Sequence, residues 1–290
     1  MDIVDKPVIY VIALPIGNWE DITLRALAIL REVDILACED TRMTGKLLAH
    51  LQISAKKLVS YHDHSERGKA EPLIAQLCDE GLSLGLVSDA GTPCLSDPGY
   101  RLLQAAHARG VRVVPIPGPS SFTALLSVSG LPSDRVLFVG FLPRKRGELE
   151  REMASWKQGR SSVVFFESAS RLVATLTCLA ALCPDSELCI GRELTKRHEE
   201  ILHTSVAEAL VWAQAHPCLK GELVLMLGKP TAAAEQATVA ETWISLLAEA
   251  QIRREAGATH KDLLQHFSHL SLPRKELYTR LQNLFAPTIL

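Results

Sequence analysis

The chain has 290 residues, of which 47% are hydrophobic and 22% are charged. This composition is typical of a folded protein of about two ordinary domains, and it excludes general disorder. The formal net charge of -2 supplies no overall field for a polyanion, so any contact with nucleic acid must come from a local cluster of lysines and arginines.

The amino-terminal segment has acidic residues and a proline where a secretory signal would carry a basic patch and an apolar run. The longest apolar stretches, such as residues 8–14, fall short of the roughly 20 residues that a membrane-spanning helix needs. We therefore expect a soluble, cytoplasmic protein.

The seven cysteines include no CxxC pair and lie mostly inside apolar segments. Free cysteine is among the most buried residue types, so we interpret these cysteines as reduced core residues. Cys178, Cys183 and Cys189 have a spacing that matches no zinc pattern. We expect no metal site.

Short β-branched runs alternate with longer amphipathic stretches from residue 8 to residue 228, which is typical of an α/β fold with largely buried sheets. A first set of strands is predicted at residues 8–14, 34–38, 58–60, 82–88 and 112–116. One helix is expected to begin at Asp97 and Pro98, because aspartate is a good N-cap and proline fits the first helical position.

A turn rich in proline and glycine over residues 115–121 predicts a domain boundary, so a first α/β domain spans 1–117. A second α/β domain, 118–230, has predicted strands at 136–140, 162–167, 188–191 and 222–227. Residues 231–238 are small and polar, which favours a linker. Three amphipathic helices, predicted over 239–253, 259–268 and 273–285, complete a tail at 231–290 of the helix-turn-helix kind.

Two turn-forming loops follow predicted strands, at residues 14–18 (LPIGN) and 88–93 (SDAGTP). The motifs GxxxxGK[ST] and GxGxxG are both missing, which argues against ATP hydrolysis and ordinary dinucleotide binding. Open α/β sheets bind ligands at the carboxyl ends of their strands. There Gly91 lets the backbone approach a ligand and Asp89 supplies an acceptor, although each loop alone also fits a plain turn.

Ionisable residues gather after three further strands, at residues 38–42 (CEDTR), 61–66 (YHDHSE) and 191–196 (GRELTK). Charges at strand ends predict a polar cleft. Each cluster also fits helix caps and a solvated loop, and no third residue is spaced to complete a metal site with His62 and His64. No serine lies in a GxSxG elbow, so serine-nucleophile hydrolysis is not favoured.

Nine ordered motifs together resemble a known family. They are PIGN at 15–18, EDTR at 39–42, HDH at 62–64, VSDAGTPxxxDPG at 87–99, PGPS at 117–120, GFLP at 140–143, FFES at 165–168, RELTK at 192–196 and GELVL at 221–225. In this order they resemble the ribosomal RNA methyltransferases of the tetrapyrrole-methylase superfamily. The resemblance is dense over about residues 8–228 and loose over the tail, and it departs at Trp19, where a leucine is expected.

The resemblance implies an α/β fold of two domains with a cofactor cleft between them, plus a small C-terminal helical domain. It implies a homodimer that binds S-adenosylmethionine and 2'-O-methylates a cytidine in the decoding region of 16S rRNA, within the small ribosomal subunit. By motif position the cofactor contacts are expected at Pro15, Asp89, Ala90, Gly91, Thr92, Pro93, Cys94, Leu95, Ser120, Ser121, Phe166 and Glu167.

Methyl transfer to a ribose hydroxyl needs alignment and removal of one proton, because the sulfonium methyl is already activated. A carboxylate with a raised pKa or a lysine with a lowered pKa would serve as the base. Lys196, Glu193, Glu39, Asp40 and Asp63 are candidates by location. We expect Lys196, with Glu193 beside it, to fill this role, although the residues alone leave the choice open.

Basic residues cluster between residues 144 and 160, where six lysines and arginines accompany three glutamates. Such a face can bind phosphates, and it equally fits a solvated helix of mixed charge. The expected rRNA contacts are at Arg42, His62, Arg144, Lys145, Arg171 and Arg192. The charge-balanced tail fits RNA docking and protein contact equally well.

Two alternatives stay open. The first keeps the fold and the cofactor but methylates a small tetrapyrrole, a uroporphyrinogen or precorrin; the helical tail and the EDTR, HDH and RELTK clusters argue against it. The second is a non-catalytic RNA-binding assembly factor on the same scaffold. Such a factor would bind rRNA without a thermal shift on addition of S-adenosylmethionine.

Overall fold

The computed structural model describes residues 6–54, 57–156, 159–229, 232–270 and 272–285. The chain divides into two units, Met1–Lys229 and Pro230–Leu290. The first unit holds two sheets and the second is helical, so the predicted α/β class with a helical tail is confirmed. The boundary predicted at 117/118 falls between the strands of the two sheets and stays a prediction.

The first sheet is entirely parallel. Its strands are β1 (Val8–Ile12), β2 (Ile35–Cys38), β3 (Lys57–Ser60), β4 (Ser83–Val87) and β5 (Arg112–Ile116). They are ordered β3-β2-β4-β1-β5. Every residue of β2 and β4 is buried, as expected for inner strands of a parallel sheet covered on both faces.

Four helices connect these strands: α1 (Leu24–Glu32), α2 (Thr41–His50), α3 (Asp63–Glu80) and α4 (Tyr100–Ala108). Two of them begin at side-chain caps that follow turns, since Thr23 accepts from the N–H of Ala26 and Asp40 accepts from that of Arg42. Helices α1 and α2 bury Leu30 and Leu47 against one face of the sheet. The other face is covered by α3 and α4.

Helix α4 begins at Tyr100 with Gly99 as its N-cap, so the start predicted at Asp97 and Pro98 is wrong. Gly99 has a φ of 134°, which a residue with a side chain rarely adopts, and it offers no side-chain acceptor. The buried carboxylate of Glu66 in α3 acts as the capping acceptor instead. It accepts from the N–H groups of Gly99 at 2.9 Å and Arg101 at 3.0 Å. The cap therefore comes from a distant part of the chain.

The second sheet is mixed. Its strands are β6 (Val136–Phe141), β7 (Ser162–Ser168), β8 (Glu187–Arg192), β9 (Glu200–Ser205) and β10 (Glu222–Leu227). They are ordered β6-β7-β10-β8-β9, with β6 and β7 parallel and the other pairs antiparallel. All nine predicted strands are present, with ends shifted by at most two residues, whereas β9 was missed. Its sequence, EILHTS, is polar and half-exposed because β9 lies at the sheet edge.

Helices cover both faces of this sheet: α5 (Ser121–Val128) lies on one face, and α6 (Arg146–Trp156), α7 (Leu172–Leu182) and α8 (Val206–Ala215) lie on the other. Successive side chains of β7 point to opposite faces of the sheet, so each face packs against different helices. Val163 and Phe165 pack with α6, α7 and α8, whereas Val164 packs with α5. Two buried faces account for the nearly continuous apolar run of this strand.

The second unit consists of α9 (Ala232–Glu255), α10 (His260–His266) and α11 (Arg274–Phe285). The linker predicted over 231–238 is wrong, because α9 begins at Ala232. Its first residues are mostly alanine, which is the best helix former. The linker prediction considered only their small size and neglected this helix propensity. The three helices enclose their own core around Trp243, Leu263 and Leu281.

All seven cysteines are free thiols. Cys38 and Cys189 are buried, but Cys218 is exposed, so its interpretation as a core residue is wrong. Among the residues that the structure describes, no cluster of histidine, cysteine, aspartate and glutamate could hold a metal ion. No helix in the described part of the chain is long and apolar enough to cross a membrane.

Candidate active site

A cavity of about 400 Å³ lies where the carboxyl ends of the first sheet meet the second sheet. Loops after β2, β4 and β5 form one side. The ends of β7 and β8 and the start of β10 form the other, since β10 runs antiparallel to both of these strands. The lining from the first side includes Glu39, Asp89, Gly91, Ser120 and Ser121, and that from the second includes Phe166, Glu167, Leu194, Lys196 and Glu222.

The loop after β4 is fixed to the loop after β1 by a pair of backbone hydrogen bonds. The N–H of Leu14 donates to Gly91 at 2.9 Å, and the N–H of Gly91 donates back at 3.0 Å. Gly91 has a φ of 77°, and a Cβ added there would lie 3.3 Å from Ile16, which also lines the cavity. Glycine suits this position because of its positive φ, and a larger residue would also have to displace Ile16.

The same loop continues through Cys94 and Ser96, which both have a φ of 67° although neither is glycine. Cys94 does not line the cavity, and its thiol donates to the carbonyl of Pro98 at 3.9 Å. Burial, with Glu66 and Asp97 nearby, raises the pKa of this thiol to about 11. Cys94 thus supports the loop from behind.

The EDTR segment places one carboxylate at the cavity and uses the next in structure. Glu39 lines the cavity. The backbone N–H of Asp40 donates to Asp89 at 3.0 Å, while the Asp40 carboxylate caps α2 and pairs with Arg42 at 2.7 Å. Hydrogen bonds from the Arg42 side chain and backbone hold the pKa of Asp40 well below its usual range. A carboxylate of such low basicity is poorly suited to remove a proton.

Lys196 forms an ion triad at the cavity wall, with its Nζ atom 3.0 Å from Glu193 and 2.9 Å from Glu222. Burial alone would lower the pKa of Lys196, but hydrogen bonds to Glu222 and Glu193 outweigh it and raise the pKa. Burial likewise opposes the lowered pKa of Glu193, which the N–H of Glu222 and the Lys196 ammonium produce. Both directions are opposite to those a general base needs here.

The loop that carries Glu193 and Lys196 is strained and closely packed. Glu193 has a φ of 50° and Thr195 a φ of 67°. A Cβ at Gly221 would lie 2.6 Å from the Glu193 side chain, and one at Gly17 would overlap the Lys196 side chain. The N–H of Asn18 also donates to Thr195 at 3.1 Å. The PIGN and RELTK segments are thus built to fit each other.

Phe166 and Glu167, at the end of β7, have different roles. Phe166 lines the cavity and contacts Phe141 edge to face, with ring centroids 5.4 Å apart. The buried Glu167 carboxylate accepts from Thr175 at 2.6 Å and lies 3.5 Å from Arg171, whose guanidinium also donates to the carbonyls of residues 142 and 143. Arg171 therefore ties β6 to α7.

The structure brings many of the predicted site residues to the cavity: Glu39, Asp89, Ala90, Gly91, Thr92, Leu95, Ser120, Ser121, Phe166, Glu167 and Lys196. Others do not line it: Pro15, Asp40, Arg42, His62, Pro93, Cys94, Arg144, Lys145, Arg171, Glu193 and Arg192. Pro93 is buried, and Pro15 is buried at the end of the loop after β1. The Arg192 guanidinium is 2.9 Å from Glu200.

Several lining residues were not predicted from the sequence, chiefly Ile16, Ser96, Asp97, Phe141, Leu194 and the segment 221–224. That segment belongs to the GELVL motif, which begins a strand, whereas ligands were expected at the carboxyl ends of strands. Only the antiparallel pairing of β10 with β7 brings that start to the cavity.

Comparisons with known proteins agree with this architecture. Residues 8–210 match the family of Tetrapyrrole (Corrin/Porphyrin) Methylases. A protein of Vibrio cholerae named Ribosomal RNA small subunit methyltransferase I is 45% identical, over 79% of this chain and 80% of its own length. A protein of Mesorhizobium japonicum with the same name is 43% identical, over 88% of this chain and 87% of its own.

Solved structures share the fold at low identity. A uroporphyrin-III-C-methyltransferase from Thermus thermophilus superposes with a TM-score of 0.54 at 19% identity, over 77% of this chain and 95% of that one. The methyltransferase CobJ gives a TM-score of 0.58 at 19% identity, over the same shares. The chain therefore belongs to the tetrapyrrole methylase family and, within it, to the ribosomal RNA small subunit methyltransferases I.

Proposed function

We propose that this protein uses S-adenosylmethionine to methylate the ribose 2'-hydroxyl of a cytidine in the decoding region of 16S rRNA. The cavity carries the proposal, because it unites the loops that the sequence predicts for the cofactor in one concave site. The names of the relatives support a ribosomal RNA of the small subunit as substrate. The likeness to uroporphyrin and related methyltransferases, at 19% identity, supports the fold alone.

The residues at the cavity fit the cofactor. Gly91 leaves room for close approach, and Asp89 offers a carboxylate to hydroxyl and ammonium groups. Phe141 and Phe166 offer ring edges and faces to an adenine. When bound, S-adenosylmethionine supplies a methyl group activated by its sulfonium. A cavity of about 400 Å³ lies in the usual range for small-molecule sites.

Of the five catalytic candidates, Glu39 and Lys196 line the cavity, and the side chain of Asp63 lies outside the part that the structure describes. Lys196 is protonated in its ion triad, so it suits a fixed positive charge that holds the ribose or its phosphate. Glu193 and Asp40 then serve as positioning residues, the first for Lys196 and the second for Arg42. Glu39 is left to accept the hydroxyl proton.

The wider contacts extend the same proposal. Arg144 and Lys145 are exposed beyond β6, where they can meet RNA phosphates together with Arg42 and His62. A homodimer is supported by the edge strand β6, which exposes Leu137 and Phe141 to solvent. Arg171 and Arg192 contribute to RNA binding indirectly, because their side chains hold neighbouring loops in place.

The test is mass spectrometry of small-subunit rRNA from a strain that lacks the gene, complemented with wild type, Gly91→Val, Glu39→Gln or Lys196→Ala. We expect wild type alone to restore the ribose methyl group fully. Gly91→Val should also lose S-adenosylmethionine binding in calorimetry. Glu39→Gln should keep cofactor affinity while kcat falls about 10²-fold or more. An unmodified cytidine in the wild-type strain would refute the proposed substrate.

A further inference from the structure

An exposed tryptophan follows the cavity residue Ile16 by three positions in the chain. Ile16 lines the cavity, Gly17 lies against Lys196, and Trp19 follows two residues later with 43% of its surface exposed. Its ring contacts the imidazole of His50, with ring centroids 4.0 Å apart. This contact positions a large aromatic ring that is partly exposed to solvent.

Helix α2 presents a row of basic side chains that ends at this ring. Arg42, Lys46 and His50 are spaced four residues apart, so they share one face of the helix, and all three are exposed. Arg42 donates to Asp40 at 3.1 and 2.7 Å, yet 85% of its side chain remains accessible. Asp40 directly follows Glu39 of the cavity wall, so the row starts at the active site.

We propose that this surface, formed by Arg42, Lys46, His50 and Trp19, binds single-stranded RNA next to the target nucleotide. The proposal rests on the proposed function and names the path of its substrate. Proteins that bind single strands combine a positive track for the backbone with aromatic rings on which bases stack. Here the helix supplies the track and Trp19 the ring.

The charged residues next to Trp19 indicate on which side of the ring the RNA backbone lies. Glu20 and Asp21 follow Trp19 in a short 3-10 turn, and both are exposed. Their carboxylates repel phosphates, so the RNA backbone is expected on the α2 side of the ring and an unpaired base on its face. A duplex has no free base to stack there, which separates this surface from a general phosphate-binding patch.

The test measures binding of the full-length protein to a fluorescein-labelled single-stranded oligocytidylate, by anisotropy at several salt concentrations. Trp19→Leu should weaken binding on the order of tenfold without changing the salt slope, because it removes stacking alone. Lys46→Ala should lower the slope of log K against log salt by about 0.7, the value for one phosphate contact on a single strand. Lys57→Ala, an exposed lysine at the opposite end of the sheet, should change neither.

Thermal melts of each variant confirm that it is folded at the assay temperature. Unchanged affinity in Trp19→Leu, or an equal slope change in Lys57→Ala, would overturn the proposal. A changed mass in light scattering with unaltered RNA binding would assign the surface to a second copy of the chain and also overturn it. If wild type methylates rRNA but the variants bind RNA with wild-type affinity and salt slope, the proposed RNA-binding surface is wrong and the proposed function stands. If these changes weaken RNA binding but wild type methylates no rRNA, the surface stands and the proposed function fails.

Discussion

Gly17 lies where the PIGN loop crosses the RELTK loop, and its hydrogen atom faces the Lys196 side chain. In Gly17→Ala the new methyl group would overlap Lys196 and lie 2.9 Å from Thr195. We expect Lys196 to leave its ion pairs, unfolding free energy to fall by about 1–3 kcal/mol, and kcat to fall more than cofactor affinity. Urea melts and single-turnover kinetics measure these effects.

Gly68→Ala is the matched control, because Gly68 lies in helix α3 with nothing within 4 Å of an added Cβ. That change should stabilise the protein by up to about 1 kcal/mol and leave kcat intact. Wild-type kcat in Gly17→Ala would show that the position of Lys196 is unimportant for catalysis.

Asp34 makes the first sheet sensitive to acid. Its carboxylate accepts from Lys6 at 2.7 Å and from the N–H and hydroxyl of Ser83 at 2.7 and 2.6 Å. Burial alone would raise the pKa of Asp34, but these hydrogen bonds outweigh it and lower the pKa to about 2. A lowered carboxyl pKa stabilises the fold above the unfolded-state value, and this contribution is lost as pH falls from about 4 to about 2.

Asp34→Asn should therefore cost about 1–2 kcal/mol at pH 7, a figure reduced for solvent screening. The difference from wild type should shrink as pH falls through about 2 and vanish below that value. Urea melts at a series of pH values check this, with Asp79→Asn, at an exposed helical position, as the control. A difference that persists unchanged at pH 2 would assign the effect to packing.

Elements with a buried apolar run were predictable from the sequence. Elements whose position or ends depend on contacts with residues distant in the sequence were not. Strands β2 and β4 follow from their hydrophobic runs, since burial on both faces leaves little choice of composition. Edge strand β9 carries no such run, and the beginning of α4 depends on Glu66, which is distant in sequence. The pairing of Lys196 with Glu222 also needs the tertiary fold.

Glu66 joins helix α3 to the loop that lines the cavity, through one oxygen that accepts from both Gly99 and Arg101. Glu66→Gln keeps a carbonyl oxygen for these N–H groups, whereas Glu66→Leu leaves them buried without an acceptor. We expect Glu66→Leu to lose about 1–3 kcal/mol of stability for each buried group left unpaired, and S-adenosylmethionine affinity to fall about tenfold or more. Glu66→Gln should recover most of both.

Calorimetry at a temperature where both variants are folded separates affinity from stability. Wild-type affinity in Glu66→Leu would show that the Asp89–Gly99 loop holds its shape without this cap. Failure of Glu66→Gln to recover affinity would instead assign the role to the negative charge.

At the scale of the whole molecule, two sheets of different topology supply one cavity. The parallel sheet contributes the loops at its strand ends, and the mixed sheet contributes both a strand end and a strand beginning. Loop residues could be predicted because the carboxyl ends of parallel strands share one edge. Residues 221–224 could not, because the direction of β10 is fixed only by its antiparallel partners.

The second unit has its own core, in which Leu263, Phe267 and Leu281 are nearly fully buried, while the cavity is lined entirely by residues before 229. A chain ending at Lys229 should therefore fold and bind S-adenosylmethionine as tightly as the full chain. Its KM for small ribosomal subunits should rise if the tail contacts RNA, with kcat unchanged, because the reacting groups remain. Calorimetry, thermal melts and steady-state kinetics test this. Aggregation of the shortened chain, or a cofactor affinity weakened tenfold, would instead make the helical unit part of the stability of the α/β unit.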